Sequence, residues 1–199
     1  MKIAIIIGST RPSRIGPQLA GWLLTLLKTD QELHDAEFSI VDLASFPLPM
    51  FQEPAHPMMV QDLAQFTSPA AVSWNQEIAK HDAYIVVSPE YHSGIPGTLK
   101  NAIDHLYHAW IGKPVMILTY GIFGGAQANS QLRQVLGFGC RMKVATICPT
   151  LEFPGRDEGE NNTSPALFQA LAGTLGADTL ESWEGKKQDI LSGCHELLG

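Results

Sequence analysis

The chain has 199 residues, with 13 Lys+Arg against 20 Asp+Glu and a formal net charge of −7. That length suits one domain over residues 1–199 that buries its own core without disulfide staples. Hydrophobic residues at 45% and charged residues at 17% exclude wholesale disorder, and the acidic balance excludes nucleic acid as the main partner, because phosphate backbones need a basic face.

Lys2–Gly8 is a continuous β-branched run ending at glycine, the pattern of a parallel strand buried on both faces. From Ile15 the period becomes helical, with Ile15, Leu19, Trp22, Leu23, Leu26 and Leu27 on one face. Glu37–Leu43 reads as a second strand. Ala44–Thr67 follows as a long loop with Pro47, Pro49, Pro54 and Pro57 and several apolar residues. Ser68-Pro69 is a helix start, continued by Ala71, Trp74 and Ile78. Ala83–Ser88 is a third strand, and Pro96 opens a helix carrying Leu99, Ala102, Ile103 and Leu106. Pro114–Tyr120 is a fourth strand, with Leu132, Val135 and Leu136 marking the next helix, and Lys143–Cys148 is a fifth. Asp157–Thr163 reads as loop, Ser164-Pro165 starts a helix through Leu167, Leu171 and Leu175, and the chain from about Asp178 is weakly helical.

Alternating strands and helices predict an α/β fold: a doubly wound, five-stranded parallel sheet in the flavodoxin-like order 2-1-3-4-5, with helices on both faces. Such sheets bind ligands beyond the carboxyl ends of their strands, so three loops matter. Gly8–Gly16 (GSTRPSRIG) joins a strand to a helix N-terminus, where free N–H groups favour an anion, and it carries three hydroxyls and two guanidinium groups. It lacks both the G-x-G-x-x-G fingerprint and the G-K-[ST] ending of a nucleotide loop, and Asp42 reads as a turn residue. Ser88–Gly97 holds two prolines and two glycines that turn backbone groups and Tyr91 toward a flat polar edge. Thr119–Ala126 offers glycines that permit close approach to the backbone.

GSTRPSRIG, SPEYHSGIPGTLKNAIDHL and the glycine loop together resemble the NADPH-dependent FMN reductase family, which includes flavodoxin-like quinone and azo reductases. The resemblance runs from about Met1 to Cys148. It implies that Ser9, Arg11, Ser13, Arg14, Ile15 and Gly16 surround an FMN phosphate. Pro89, Glu90, Tyr91, His92 and Ser93 would line the ribityl chain and ring, with backbone donors of Glu90–Ser93 stabilising charge on the reduced ring. Tyr120, Gly121, Gly124 and Gly125 would reach its other side, and Lys100, Asn101 and Asp104 would orient the second loop. His92 departs from the Asn that many relatives carry. The implied activity is an NAD(P)H oxidoreductase that passes hydride from NADPH or NADH to FMN, then two electrons to a quinone, azo compound or similar small acceptor, with no catalytic side chain. An FMN electron carrier that docks redox proteins, and a flavin-free regulatory module, are the alternatives.

Other patterns carry less. His105 and His108 have a helical metal spacing but no further ligand, so no metal is expected. Ser13 and His92 lack a nucleophile elbow. The three cysteines have no C-x-x-C spacing, which points to buried thiols and a reducing cytoplasm. No apolar run approaches the roughly 20 residues that span a bilayer, so no membrane partner is expected. Ala44–Thr67 and Trp74 either cover their own domain or meet a second copy of the chain, and a homodimer or dimer of dimers is the expected assembly.

Overall fold

The computed structural model describes residues 1–157, 159 and 162–199. Strands β1 (Lys2–Ile7), β2 (Glu37–Asp42), β3 (Ala83–Pro89) and β4 (Pro114–Gly121) form a parallel sheet in the order β2-β1-β3-β4. In register, Ile7 pairs with Asp42 and with Val87, and Ser88 pairs with Thr119, so the ends of all four strands fall on one edge. β1, β3 and β4 are buried on both faces. Ile3, Ile5 and Ile7 enter one core layer with Leu19, Leu23 and Leu118, while Ala4 and Ile6 enter the other with Trp74, Leu99 and Ile117. Period-2 alternation therefore feeds two cores from a run that shows no polar alternation.

The helices are α1 (Gly16–Leu27), α2 (Pro69–Ala79), α3 (Gly97–Asp104), α4 (Ala126–Leu132), α5 (Pro165–Leu171), α6 (Ala177–Ser182) and α7 (Lys187–His195). The expected helix from Ser164 to Leu175 stops at Leu171. Ser164 starts it as expected, its side chain accepting from the Leu167 amide. α4 runs into a π-helical segment, Arg133–Gly139, which carries the apolar Val135 and Leu136. Of the polar loop Asp157–Thr163, residues Glu158, Glu160 and Asn161 lie outside the described residues.

Two expectations are corrected. The fifth strand position is shared by two short strands, β5 (Lys143–Val144) and β6 (Thr150–Glu152), each parallel to β4. Between them the chain leaves the sheet. Cys148 Sγ, rather than a carbonyl, accepts from the Ile117 amide at 3.3 Å, and Pro149 has no N–H to give. The amides of Thr146 and Ile147 donate instead to the Glu196 carboxylate at 2.6 and 2.9 Å, and Arg133 donates to the carbonyls of Ala145 and Thr146. Trp74, a candidate contact surface, is buried and donates through Nε1 to the Ala102 carbonyl at 2.9 Å.

The long loop Ala44–Thr67 contains three short 3₁₀ turns, at Leu43–Ser45, Pro57–Met59 and Leu63–Gln65. Asn101 fastens it twice, donating to the Pro49 carbonyl and accepting from the Phe51 amide, both at 2.8 Å. That is how a residue of the α3 motif acts at a distance from its own helix.

Candidate functional site

The first loop leaves β1 at Gly8, where an added Cβ would crowd Leu99 Cδ2 at 2.7 Å and the Val87 carbonyl at 3.2 Å. Gly16 is equally constrained, since its Cβ would lie 2.6 Å from Ser9 Oγ and 2.7 Å from Ile7 Cγ2. α1 begins here with no side-chain cap and no acidic residue in its first turn. Its leading N–H groups and positive dipole end are therefore left for an anion. Ser9 is only 1% exposed, and its hydroxyl lies beside the Tyr120 phenol at the start of the helix.

The two arginines differ. Arg11 is exposed and faces the cleft. Arg14 is drawn back, its guanidinium forking onto Asp42 at 2.9 and 2.7 Å and also donating to the Ser9 carbonyl.

The second loop closes on itself. Tyr91 and Gly94 exchange backbone hydrogen bonds at 3.1 and 3.0 Å around His92 and Ser93, whose φ values are +49° and +56°. This is a tight turn with two left-handed residues. His is enriched in that region, so His92 accommodates the left-handed turn. The side chains of His92 and Ser93 are exposed at the tip. Gln131 braces the turn from α4, donating to the Ser93 carbonyl at 3.0 Å and accepting from the Ile95 amide at 3.3 Å. Glu90 points across to α4, where its Oε2 accepts from the amides of Gln127 and Ala128 at 2.8 and 3.0 Å. Its carboxylate thus caps a helix that no residue of its own sequence caps.

In the third loop, Gly124 and Gly125 have φ values of +68° and +75°, and a Cβ on Gly125 would lie 2.9 Å from Thr119 Cβ. Both are buried, and backbone geometry and packing require them. Gly121 and Tyr120 reach the cleft. Burial pushes the Tyr120 phenol up to about 12, so it is protonated at neutral pH and donates hydrogen bonds.

The three loops enclose a cleft of about 620 Å³ at the strand ends. Arg11, Ser13, Arg14, Ile15, Pro89, Glu90, Tyr91, Tyr120 and Gly121 line it. Six residues expected at the site do not line it: Ser9 and Gly16 pack together beside Tyr120, His92 and Ser93 are exposed at the turn tip, and Gly124 and Gly125 are buried in the third loop. Ile122, Phe153, Leu167, Ala170 and Leu171 complete its wall and were not anticipated. A signal for the last three existed: they sit on a short apolar helix, and α5 has no fully buried residue. A larger cleft of about 860 Å³ lies under the proline-rich loop. There Asn75 bonds the Ala71 and His105 carbonyls, and His108 the Met58 carbonyl.

His105 and His108 turn their Nε2 atoms to different backbone carbonyls, of Pro49 and Met58. Burial pushes Cys140 up to about 11 and raises Cys148 and Cys194 as well, so none is an activated thiolate. Among the described residues no helix is long and apolar enough to cross a membrane.

Doubly wound topology with an anion cradle after β1 and two polar loops beside it defines a flavodoxin-like cofactor-binding protein. The chain belongs to the NADPH-dependent FMN reductase family, whose model matches residues 1–149. It is 39% identical over 199 residues to an NAD(P)H-dependent FMN reductase of Nectria sp, covering 98% of this chain and 94% of the relative. It is 32% identical over 144 residues to a quinone reductase of Escherichia coli, covering 69% and 70% of the two chains. The solved structure of the flavoenzyme NAD(P)H:(acceptor) oxidoreductase FerB from Paracoccus denitrificans shares the fold, with a TM-score of 0.58 at 19% identity over 98% of this chain and 97% of that one. The protein is thus a flavin-dependent oxidoreductase with FMN as cofactor and NAD(P)H as co-substrate. The uncapped N-terminus of α1, with Arg11 and Ser13 beside it, fits the phosphate of that cofactor.

Proposed function

We propose that the chain oxidises NADPH or NADH at FMN held in the strand-end cleft and reduces a quinone, azo compound or similar small acceptor. The observation that carries the reading is the uncapped start of α1 at the strand-end cleft, with Arg11 and Ser13 on the adjoining wall. When bound, FMN supplies the redox chemistry, accepting a hydride from the nicotinamide and returning two electrons to the acceptor. Ser9, Ser13, Arg11 and the first-turn amides of α1 bind the phosphate, with Ile15 and Gly16 shaping the approach. Pro89 and Tyr91 hold the ribityl chain and ring. Of the Glu90–Ser93 donors, Glu90 and Tyr91 already bond the Tyr120 and Gly94 carbonyls, so the N–H groups of His92 and Ser93 would be the ones to stabilise negative charge on the reduced ring. Tyr120 remains a neutral donor at the cleft floor, beside the accessible backbone of Gly121. Ile122, Phe153 and α5 exclude water from that side. No protein side chain exchanges a proton in this scheme.

The assembly we propose is a homodimer or a dimer of dimers, working in the cytoplasm. The quinone reductase relative of Escherichia coli supports the acceptor class. Steady-state assay of the FMN-loaded protein tests the reading: NADPH or NADH consumption should depend on added quinone. Purified protein that binds FMN but oxidises neither nicotinamide with a quinone present would instead be an electron carrier.

A further inference from the structure

We infer that Arg14 and Asp42 form a positioning pair that shapes the phosphate loop, and that Arg11 is the cation that distinguishes a phosphorylated flavin from a bare one. The inference rests on the FMN reading above. Arg14 spends both forks of its guanidinium on the Asp42 carboxylate, at 2.9 and 2.7 Å, and Nη1 also reaches the Ser9 carbonyl. The side chains are 14% and 28% exposed, so the pair is mostly shielded from water. Asp42 is itself fixed. It ends β2 opposite Ile7, and its Oδ1 accepts from the Ala44 amide at 3.0 Å. Arg14 therefore ties the end of β2 to Ser9, two residues beyond β1. With its carbonyl held this way, Ser9 keeps its hydroxyl buried at the start of α1.

The charge arithmetic agrees. Arg14 and Asp42 together are neutral and offer a dianion little net attraction. A phosphate brought onto the same guanidinium would also face the Asp42 carboxylate. Arg11 lines the cleft, is exposed, and has no ion pair among the described residues. The loop is braced elsewhere too: Thr10 donates to Thr98 at 3.2 Å, and Gln18 clips the α5 tail by bonding the Gly173 carbonyl and the Leu175 amide.

The test titrates flavin-depleted full-length protein with FMN and with riboflavin, following flavin fluorescence. Arg11→Ala should lower the ratio of riboflavin to FMN dissociation constants by about tenfold, as expected for loss of one charge-assisted phosphate contact. Arg14→Ala and Asp42→Asn should each weaken both flavins by a similar factor and hold that ratio within about twofold of wild type, and the double variant should be no worse than the worse single one. Asp42→Asn is nearly isosteric, so the test stands even where Arg14→Ala does not fold. The exchange Arg14→Asp with Asp42→Arg should recover part of the affinity for both flavins, a rescue that general destabilisation does not produce. Selective loss of FMN in Arg14→Ala, or tighter FMN binding in Asp42→Asn, would overturn the inference. Wild-type protein that binds neither flavin would instead refute the FMN reading.

Discussion

Replacing Glu90 by alanine removes the cap on α4. Its Oε2 accepts two backbone N–H bonds, from Gln127 and Ala128, at 2.8 and 3.0 Å. The helix has no side-chain cap of its own, because Gly125 stands at its N-cap. Loss of such a cap costs about 1–2 kcal/mol, toward the lower end here because the side chain is only partly buried. In a domain of this length each kcal/mol lowers the melting midpoint by about 2–4 °C, so Glu90→Ala should melt about 2–6 °C below wild type. Glu90→Gln keeps an acceptor oxygen without the charge and should fall between them. Because Glu90 joins the loop after β3 to the helix after β4, FMN affinity should drop in the same order. Thermal unfolding of the flavin-depleted protein, followed by circular dichroism, and fluorescence titration with FMN measure both effects. An unchanged midpoint together with unchanged FMN affinity in Glu90→Ala would refute the cap and the bridging role built on it.

Two further outcomes follow from the backbone and from titration. His92→Gly should raise stability by up to about 1 kcal/mol, because the φ of +49° carries no Cβ penalty for glycine, whereas His92→Val should destabilise by a similar amount or more; chemical denaturation reads both. The Glu196 carboxyl lies below its usual range: burial, which raises it, is outweighed by hydrogen bonds from the Thr146 and Ile147 amides and by the charge of Arg133. Its folded value is below its unfolded one, so its stabilisation is present above the unfolded value and is lost as pH falls through the folded one. The gap in melting midpoint between wild type and Glu196→Gln should therefore be widest near neutral pH and vanish in acid.

Much of the site was legible before any coordinates. The β-branched runs and the intervening helical periods are local signals, and right-handed crossovers turn them into one sheet order. Once that order is set, the loops after β1, β3 and β4 must share an edge, and the phosphate, tyrosine and glycine loops did. Gly124 and Gly125 were legible as glycines but not as to their purpose, since positive φ and the nearness of Thr119 and Thr150 require them. Lys143–Cys148 read as one strand because it is rich in β-branched residues, Val144, Thr146 and Ile147. Nothing local shows that Glu196, some 50 residues on, would take two of its amides.

By itself the sequence determined the strand order, the edge that carries the site, the anion-favouring start of α1 and the family. Each rests on patterns within about 20 residues, where backbone geometry dominates. Only the tertiary structure decided which polar groups remain free at that edge. Arg14 and Arg11 look alike three residues apart, yet one is held by Asp42, 28 residues away, and the other is left to the cleft. Glu90 lines the cleft, yet Gln127, 37 residues on, claims its carboxylate. A hydrogen bond depends on ångström-scale distance rather than on separation along the chain, so availability for a ligand is settled only when every competing partner is in place.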